Sequence, residues 1–186
     1  GSDIAQVSNG YIDLLIQEAK IARAEVKTSE PIPTIFFGGG TPTLLAAQDL
    51  VAILNKLKET FGFERGAEIT TEANPDSVDA KYLQELKDAG FTRVSFGMQS
   101  AVPKVLAVLE RTHNPDNVAI AVQAAKSVGL ATSIDLIYGS PTETLEDWKV
   151  SLETALVLET EHISAYSLIV EGGTKLARQI KSGQVP

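Results

Sequence analysis

The sequence has no cysteine, one methionine, one tryptophan and only two histidines, His113 and His162. Without cysteine it can form no disulfide, no thiolate nucleophile and no thiolate-held metal cluster. No apolar run approaches the roughly 20 residues that a membrane-spanning helix needs. No secretory apolar segment precedes a cleavage site, so the expected compartment is the cytoplasm, and Gly1-Ser2 reads as an expression scar. A basic excess is missing too: 16 basic residues stand against 24 acidic ones, for a formal net charge of −8. That sign opposes the field by which proteins attract nucleic acid or anionic membranes, so neither is expected as a partner. What the 186 residues do contain is the balance of a globular core, 44% hydrophobic and 22% charged. No linker, low-complexity stretch or break in composition interrupts them, and a single domain over residues 1–186 is expected.

The apolar pattern alternates between two periods. Ile12, Leu15, Ile16, Ala19 and Ala22 recur at helical spacing, whereas residues 34–37 form a short apolar run closed by Gly38, Gly39 and Gly40. Helical spacing returns at Leu50, Ile53, Leu54, Leu57 and Phe61, and again at Tyr82, Leu83 and Leu86. Residues 69–72, 94–97, 133–138 and 163–170 read as strands. Asn114 before Pro115 is an N-cap with proline at the first helical position. Gly129 suits the left-handed residue at the end of that helix. Thr144 with Asp147 approximates a capping box for a helix through Trp148, Leu152 and Leu156, and residues 176–180 begin a last helix. Five strands, each followed by a helix and spaced ~25–40 residues apart, are the repeat of parallel βαβ units. The strands look apolar and β-branched, as when both faces are covered. An open doubly wound sheet and a closed or partial barrel both fit. A leading helix with no strand before it favours an incomplete barrel, whose open edge would invite pairing with a second copy into a homodimer.

In parallel β/α folds the working residues lie at the C-terminal ends of the strands. The first strand runs into FFGGGTPTLL, whose glycines bring backbone N–H groups close to a ligand or simply make a tight turn. Alone, that loop also fits a phosphate-binding β/α-barrel enzyme. Glu72 ends the second strand ahead of the Asn74-Pro75 turn signal, as an acceptor for a ligand ammonium or hydroxyl or as a solvated loop acid. Gln99 ends the third, where an amide reads ligand edges or bonds backbone. Asp135 lies between Ile134 and Leu136 inside a strand. A buried carboxylate is costly unless paired, so Asp135 faces the barrel mouth or has an internal partner, with Arg111 the candidate. Tyr166 and Ile169 lie on the last strand. His113, beside the Asn114 cap, reads as structural, and the two histidines are not spaced as a metal pair. Trp148, with Leu145 and Leu152, reads as core, and the charged run from Glu59 to Glu68 as a solvated helix end and loop.

Six ordered blocks, FFGGGTPTLL, TTEANPDS, GFTRVSFGMQS, the LERTHN segment, SIDLIYGSPTET and HISAYSLIVEGGT, span the chain from about Pro33 onward. Together they resemble the radical S-adenosylmethionine superfamily, in its branch of oxygen-independent coproporphyrinogen III oxidases and heme chaperones. The resemblance implies an α/β fold, a partial (β/α)6 TIM-like barrel with its first strand missing, binding S-adenosylmethionine against a [4Fe–4S] cluster. It implies contacts from Gly39, Gly40 and Thr41 to the methionyl amino group. Glu72, Gln99, Arg111 and Asp135 would complete the S-adenosylmethionine site, with Ile169 beside the adenine. The chemistry it implies is one-electron cleavage of the sulfonium to a 5′-deoxyadenosyl radical, used in the oxidase to decarboxylate coproporphyrinogen III. The alternative is a heme chaperone that binds heme and delivers it to recipient proteins, which TEANP and GMQS resemble more closely. A tetrapyrrole is the implied partner in both. The family's CxxxCxxC loop has no counterpart in a sequence without cysteine. The cluster is therefore expected only in a parent protein, and this chain is expected to lack radical activity. The helix through residues 12–26 would be the family's first crossover helix, and its C-terminal domain has no counterpart, so an incomplete core of a longer protein is expected.

Overall fold

A computed structural model describes residues 2–185, except Thr28 and Thr112, with side chains from Gly10 onward. Gly1, half of the pair read as a scar, and Thr112 of the LERTHN segment lie outside the described residues. Helix α1 (Ser2–Glu25) precedes β1 (Ile32–Phe37), α2 (Ala47–Phe61), β2 (Phe63–Ala73), α3 (Ala80–Ala89) and β3 (Arg93–Gln99). Then follow α4 (Pro103–Val108), α5 (Pro115–Ser127), β4 (Ala131–Tyr138), α6 (Leu145–Val157), β5 (His162–Ser167) and α7 (Lys175–Lys181). The short α4 breaks the expected one-helix-per-strand rhythm, because Pro103 starts a helix before the Asn114-Pro115 start signal is reached.

Local chemistry sets these boundaries. Asn114 caps α5 by accepting from the backbone N–H of Asp116 at 3.1 Å, and Asp79 caps α3 by accepting from that of Tyr82 at 2.7 Å. The capping box at α6 is complete, with Thr144 and Asp147 each accepting from the other's backbone N–H. Hydrogen bonds from Lys104 and Thr144 hold the Asp147 carboxyl down at about 2. Gly129 takes the left-handed conformation expected after α5, with φ +78°.

The five strands are all parallel and lie in chain order, β1-β2-β3-β4-β5. A doubly wound sheet would reverse its order at a switch point; sequential order is that of a barrel wall, and the sheet curls into a partial barrel. The apolar core lies between this wall and the helices. Leu50 and Leu54 of α2, Leu83 and Leu86 of α3, and Val118 and Val122 of α5 pack there. They meet Ile69, Val94, Phe96, Met98, Ile134 and Leu136 of the strands.

The alternate residues of the same strands are polar, which corrects the expectation of strands apolar on both faces. Arg93, Ser95, Gly97 and Gln99 of β3 face inward, as do Ser133 and Asp135 of β4. The charged run also needs correction: residues 63–68 belong to β2, and Glu68 is an inward strand residue paired with Arg93 at 3.2 Å. Strand β5 ends at Ser167, so Leu168, Ile169 and Val170 lie in the loop beyond it. On α6, Trp148 packs against the core and against Tyr138, with ring centroids 5.3 Å apart, but Leu145 is exposed. None of the described helices is long and apolar enough to cross a membrane.

This two-faced wall makes neighbouring residues of one strand unequal. Phe96→Ala, on the outer face, should lower stability by about 3–5 kcal/mol, whereas Ser95→Ala, on the inner face, should cost about 1 kcal/mol. Urea unfolding of both variants checks this; equal losses would contradict the assignment of faces.

Candidate functional site

The inward residues line one cavity of about 750 Å³ that runs along the concave face of the sheet. Parallel register stacks them in tiers. Gly97 of β3 pairs with Asp135 of β4, and Asp135 with Ser164 of β5, so the middle tier crosses three strands at one height. Four residues of strand separate Glu68 from Glu72, a rise of about 13 Å. By the same register Glu72, Ser95, Ser133 and His162 form the row next to the middle tier, Arg93 and Glu68 form a lower tier, and the strand ends and their loops form an upper rim.

All eight residues singled out from the sequence, Gly39, Gly40, Thr41, Glu72, Gln99, Arg111, Asp135 and Ile169, border this lumen. The glycine loop leaves β1 with Gly39 at φ +122°, a conformation open chiefly to glycine. A Cβ on Gly38 would stand 3.0 Å from the Phe36 ring and 3.3 Å from a Glu72 carboxylate oxygen, so the loop lies close against the rim. After Thr41 comes only a three-residue 3₁₀ turn, Pro42–Leu44, and not an α-helix N-terminus. A phosphate cradle of the usual kind draws its positive charge from such a terminus.

The two carboxylates are tuned by their surroundings. Burial raises the Glu72 carboxyl above its ordinary value; the backbone N–H of Gly39 opposes this and the charge of Asp135 adds to it. Burial likewise raises Asp135, opposed by hydrogen bonds from Ser95 and Ser164 and by nearby His162. The internal partners of Asp135 are thus hydroxyls, with Ser95 Oγ donating to Asp135 Oδ2 at 3.0 Å. Among the described contacts the expected Arg111–Asp135 pair does not form; Arg111 is exposed at the rim. Ile169 is 73% exposed there.

Sequence reading missed the lower tier and the two serines. The signal for them was the alternation of polar with apolar residues along β3 and β4, which marks a strand with one hydrated face.

Two carboxylates, an amide, a guanidinium and a glycine backbone around one lumen suit a ligand that carries an ammonium, a diol and an aromatic base. This donor set fits S-adenosylmethionine. It does not fit a cysteine-held iron–sulfur cluster, since the sequence contains no thiolate. Among the described residues no group of three or more His, Asp or Glu is arranged to hold a metal ion.

The sequence profile of the radical SAM superfamily matches residues 6–155, and the chain belongs to that superfamily. The heme chaperone HemW of Mycobacterium tuberculosis is 40% identical over 174 residues, which cover 92% of this chain and 45% of the relative. HemW of Bacillus subtilis is 35% identical over 184 residues, 97% of this chain and 48% of the relative. The chain thus spans about half the length of the curated relatives it matches. Among solved structures, the coproporphyrinogen III oxidase HemN of Escherichia coli, a radical SAM enzyme, superposes with a TM-score of 0.84 at 28% identity. That match covers 96% of this chain and 42% of HemN. Elp3 of Methanocaldococcus infernus, at 22% identity and a TM-score of 0.71, shares the fold over 92% of this chain and 46% of its own. The chain is a radical SAM protein of the HemN/HemW branch.

Holding an ionised Asp135 in this wall has a cost that pH exposes. A carboxyl raised on folding contributes stability when neutral, and that contribution is lost as pH rises through its folded value. Asp135→Asn should therefore melt higher than wild type at neutral pH, with the gap closing toward the ordinary carboxylate range. Melting curves across that interval check it; a gap that does not change with pH would contradict the burial argument.

Proposed function

We propose that the lumen binds S-adenosylmethionine and that the protein to which this half-barrel belongs is a heme chaperone. One observation carries the first part: eight residues from six separate strand and loop segments converge on a single polar cavity. In this reading Glu72, with the backbone of Gly39, Gly40 and Thr41, takes the methionyl ammonium. Asp135, held by Ser95, accepts from the ribose hydroxyls, Arg111 and Gln99 take the carboxylate and polar edges, and Ile169 covers the adenine. Bound S-adenosylmethionine supplies an electrophilic sulfonium and, in the superfamily, one-electron chemistry. This chain contributes binding and orientation, and no step through a cluster is assigned to its residues.

The heme part is supported by the relatives of 35–40% identity, which carry the name heme chaperone. A second reading, coproporphyrinogen decarboxylation, is supported by the 28% identity to an oxidase over nearly the whole chain. Both involve a tetrapyrrole. Neither needs a nucleic acid or a membrane span.

Calorimetric titration of the chain with S-adenosylmethionine tests the site. Glu72→Ala and Asp135→Ala should each weaken binding by roughly tenfold or more, the weight of a hydrogen bond to a charged group; unchanged affinity in both would remove the assignment. Hemin titration and a decarboxylation assay on the longer parent protein, with its cluster reconstituted, separate the two functions. Hemin binding without decarboxylation is the expected result, and decarboxylation of coproporphyrinogen III would reject the chaperone reading.

A further inference from the structure

The end of β3 is a strained point in the lumen wall. Gln99 has φ +63°, a conformation that costs a non-glycine residue energy and persists only where the surroundings enforce it. The backbone N–H of Ser100 bonds back to the carbonyl of Met98 at 2.7 Å. A bond from residue i+2 to residue i across a central residue of positive φ is the rare, strained form of the γ-turn. The ladder to β4 shifts register between Gly97 and Gln99, so regular strand pairing is interrupted at the turn. The Gln99 side chain folds back over the strand; a Cβ on Gly97 would come within 2.8 Å of its Nε2.

A side chain from a distant part of the sequence also reaches this turn. His113 Nε2 lies 2.9 Å from the same Met98 carbonyl oxygen. That oxygen can only accept, so Nε2 carries the proton and donates it. His113 is 6% exposed, yet it borders the lumen. Two described residues near it in sequence are anchored to the fold. Arg111 bonds through its backbone N–H to Leu106 at 2.9 Å, and Asn114 caps α5. The His113 ring is a hydrogen-bonded link from these anchored residues to the strained end of β3.

We infer that His113 is a positioning residue: its hydrogen bond to the Met98 carbonyl holds the γ-turn and locks Gln99 against the segment that carries Arg111, so that both face one lumen. This goes beyond a helix-flanking role, because the bond acts on the carbonyl that closes the turn. Its consequence for ligand binding rests on the S-adenosylmethionine reading above; the geometry does not.

Two variants separate the roles of ring and donor in this chain. His113→Gln keeps a side-chain N–H, and His113→Phe keeps the ring volume without a donor. His113→Phe should weaken S-adenosylmethionine binding by roughly tenfold, the weight of one buried hydrogen bond, and raise amide hydrogen exchange at Ser100 by a similar factor. His113→Gln, which keeps the donor, should retain affinity and Ser100 protection to within about threefold. Equal affinity losses in both variants that follow their melting temperatures would mean a merely structural histidine and would overturn the inference. So would unchanged Ser100 exchange in His113→Phe. If His113→Phe does not fold, His113→Gln decides alone: retained Ser100 protection supports the inference, and lost protection at a wild-type melting temperature overturns it. If the wild type binds no S-adenosylmethionine, the ligand reading falls, and Ser100 exchange still decides the positioning role.

Discussion

Along β3 and β4, successive side chains turn alternately toward the helices and toward the lumen. Val94, Phe96, Met98, Ile134 and Leu136 are fully buried under the helices. Their neighbours Arg93, Ser95, Ser133 and Asp135 line the cavity. A closed β/α barrel usually fills its interior with branched apolar residues. Here the wall is stabilised almost entirely from outside, by helix packing, and its inner face is left free for polar chemistry. A one-residue slip of any central strand would exchange the two faces, so register is under strong selection by burial alone.

That division explains how carboxylates come to sit inside a sheet. Asp135 would be costly in an apolar core, but in the lumen it keeps the hydroxyl of Ser95 on one neighbouring strand and Ser164 on the other. The lower tier follows the same rule, with Arg93 bridging Glu68 and reaching the hydroxyl of Ser133. At the rim, where strands give way to loops, conformations become special. Gly39 and Gln99 both have positive φ, and each stands next to a group the proposed ligand would meet. Strain of this kind persists only when surrounding contacts enforce it.

The fold was largely readable from the sequence because its signals are local. Helical spacing at Leu50, Ile53 and Leu54, the Asn114 and Thr144 caps, and the glycines after β1 each act over a few residues. All eight expected site residues reached one cavity because strand ends are where such folds gather polar groups. What was not legible depended on partners distant in sequence. Nothing near Asp135 announces that Ser95, 40 residues earlier, will satisfy it in place of Arg111. Glu68 sits in a charged run that reads as solvated until β2 extends through it and Arg93 pairs with it. His113 looked like a helix-flanking residue, and only the fold brings its ring to Met98.

Membership of the radical SAM superfamily and a cysteine-free sequence divide the chemistry cleanly. In the proposed reading the residues present recognise and orient an adenosyl amino acid, while thiolate ligation of a cluster lies outside the capacity of a cysteine-free sequence. The most direct measurement is a crystal structure of this chain grown with saturating S-adenosylmethionine. The expected result is a ligand inside the lumen, with its amino acid end at Gly39, Gly40 and Thr41 and its ribose at Asp135. A ligand bound elsewhere, or a lumen filled only with water at saturation, would contradict it.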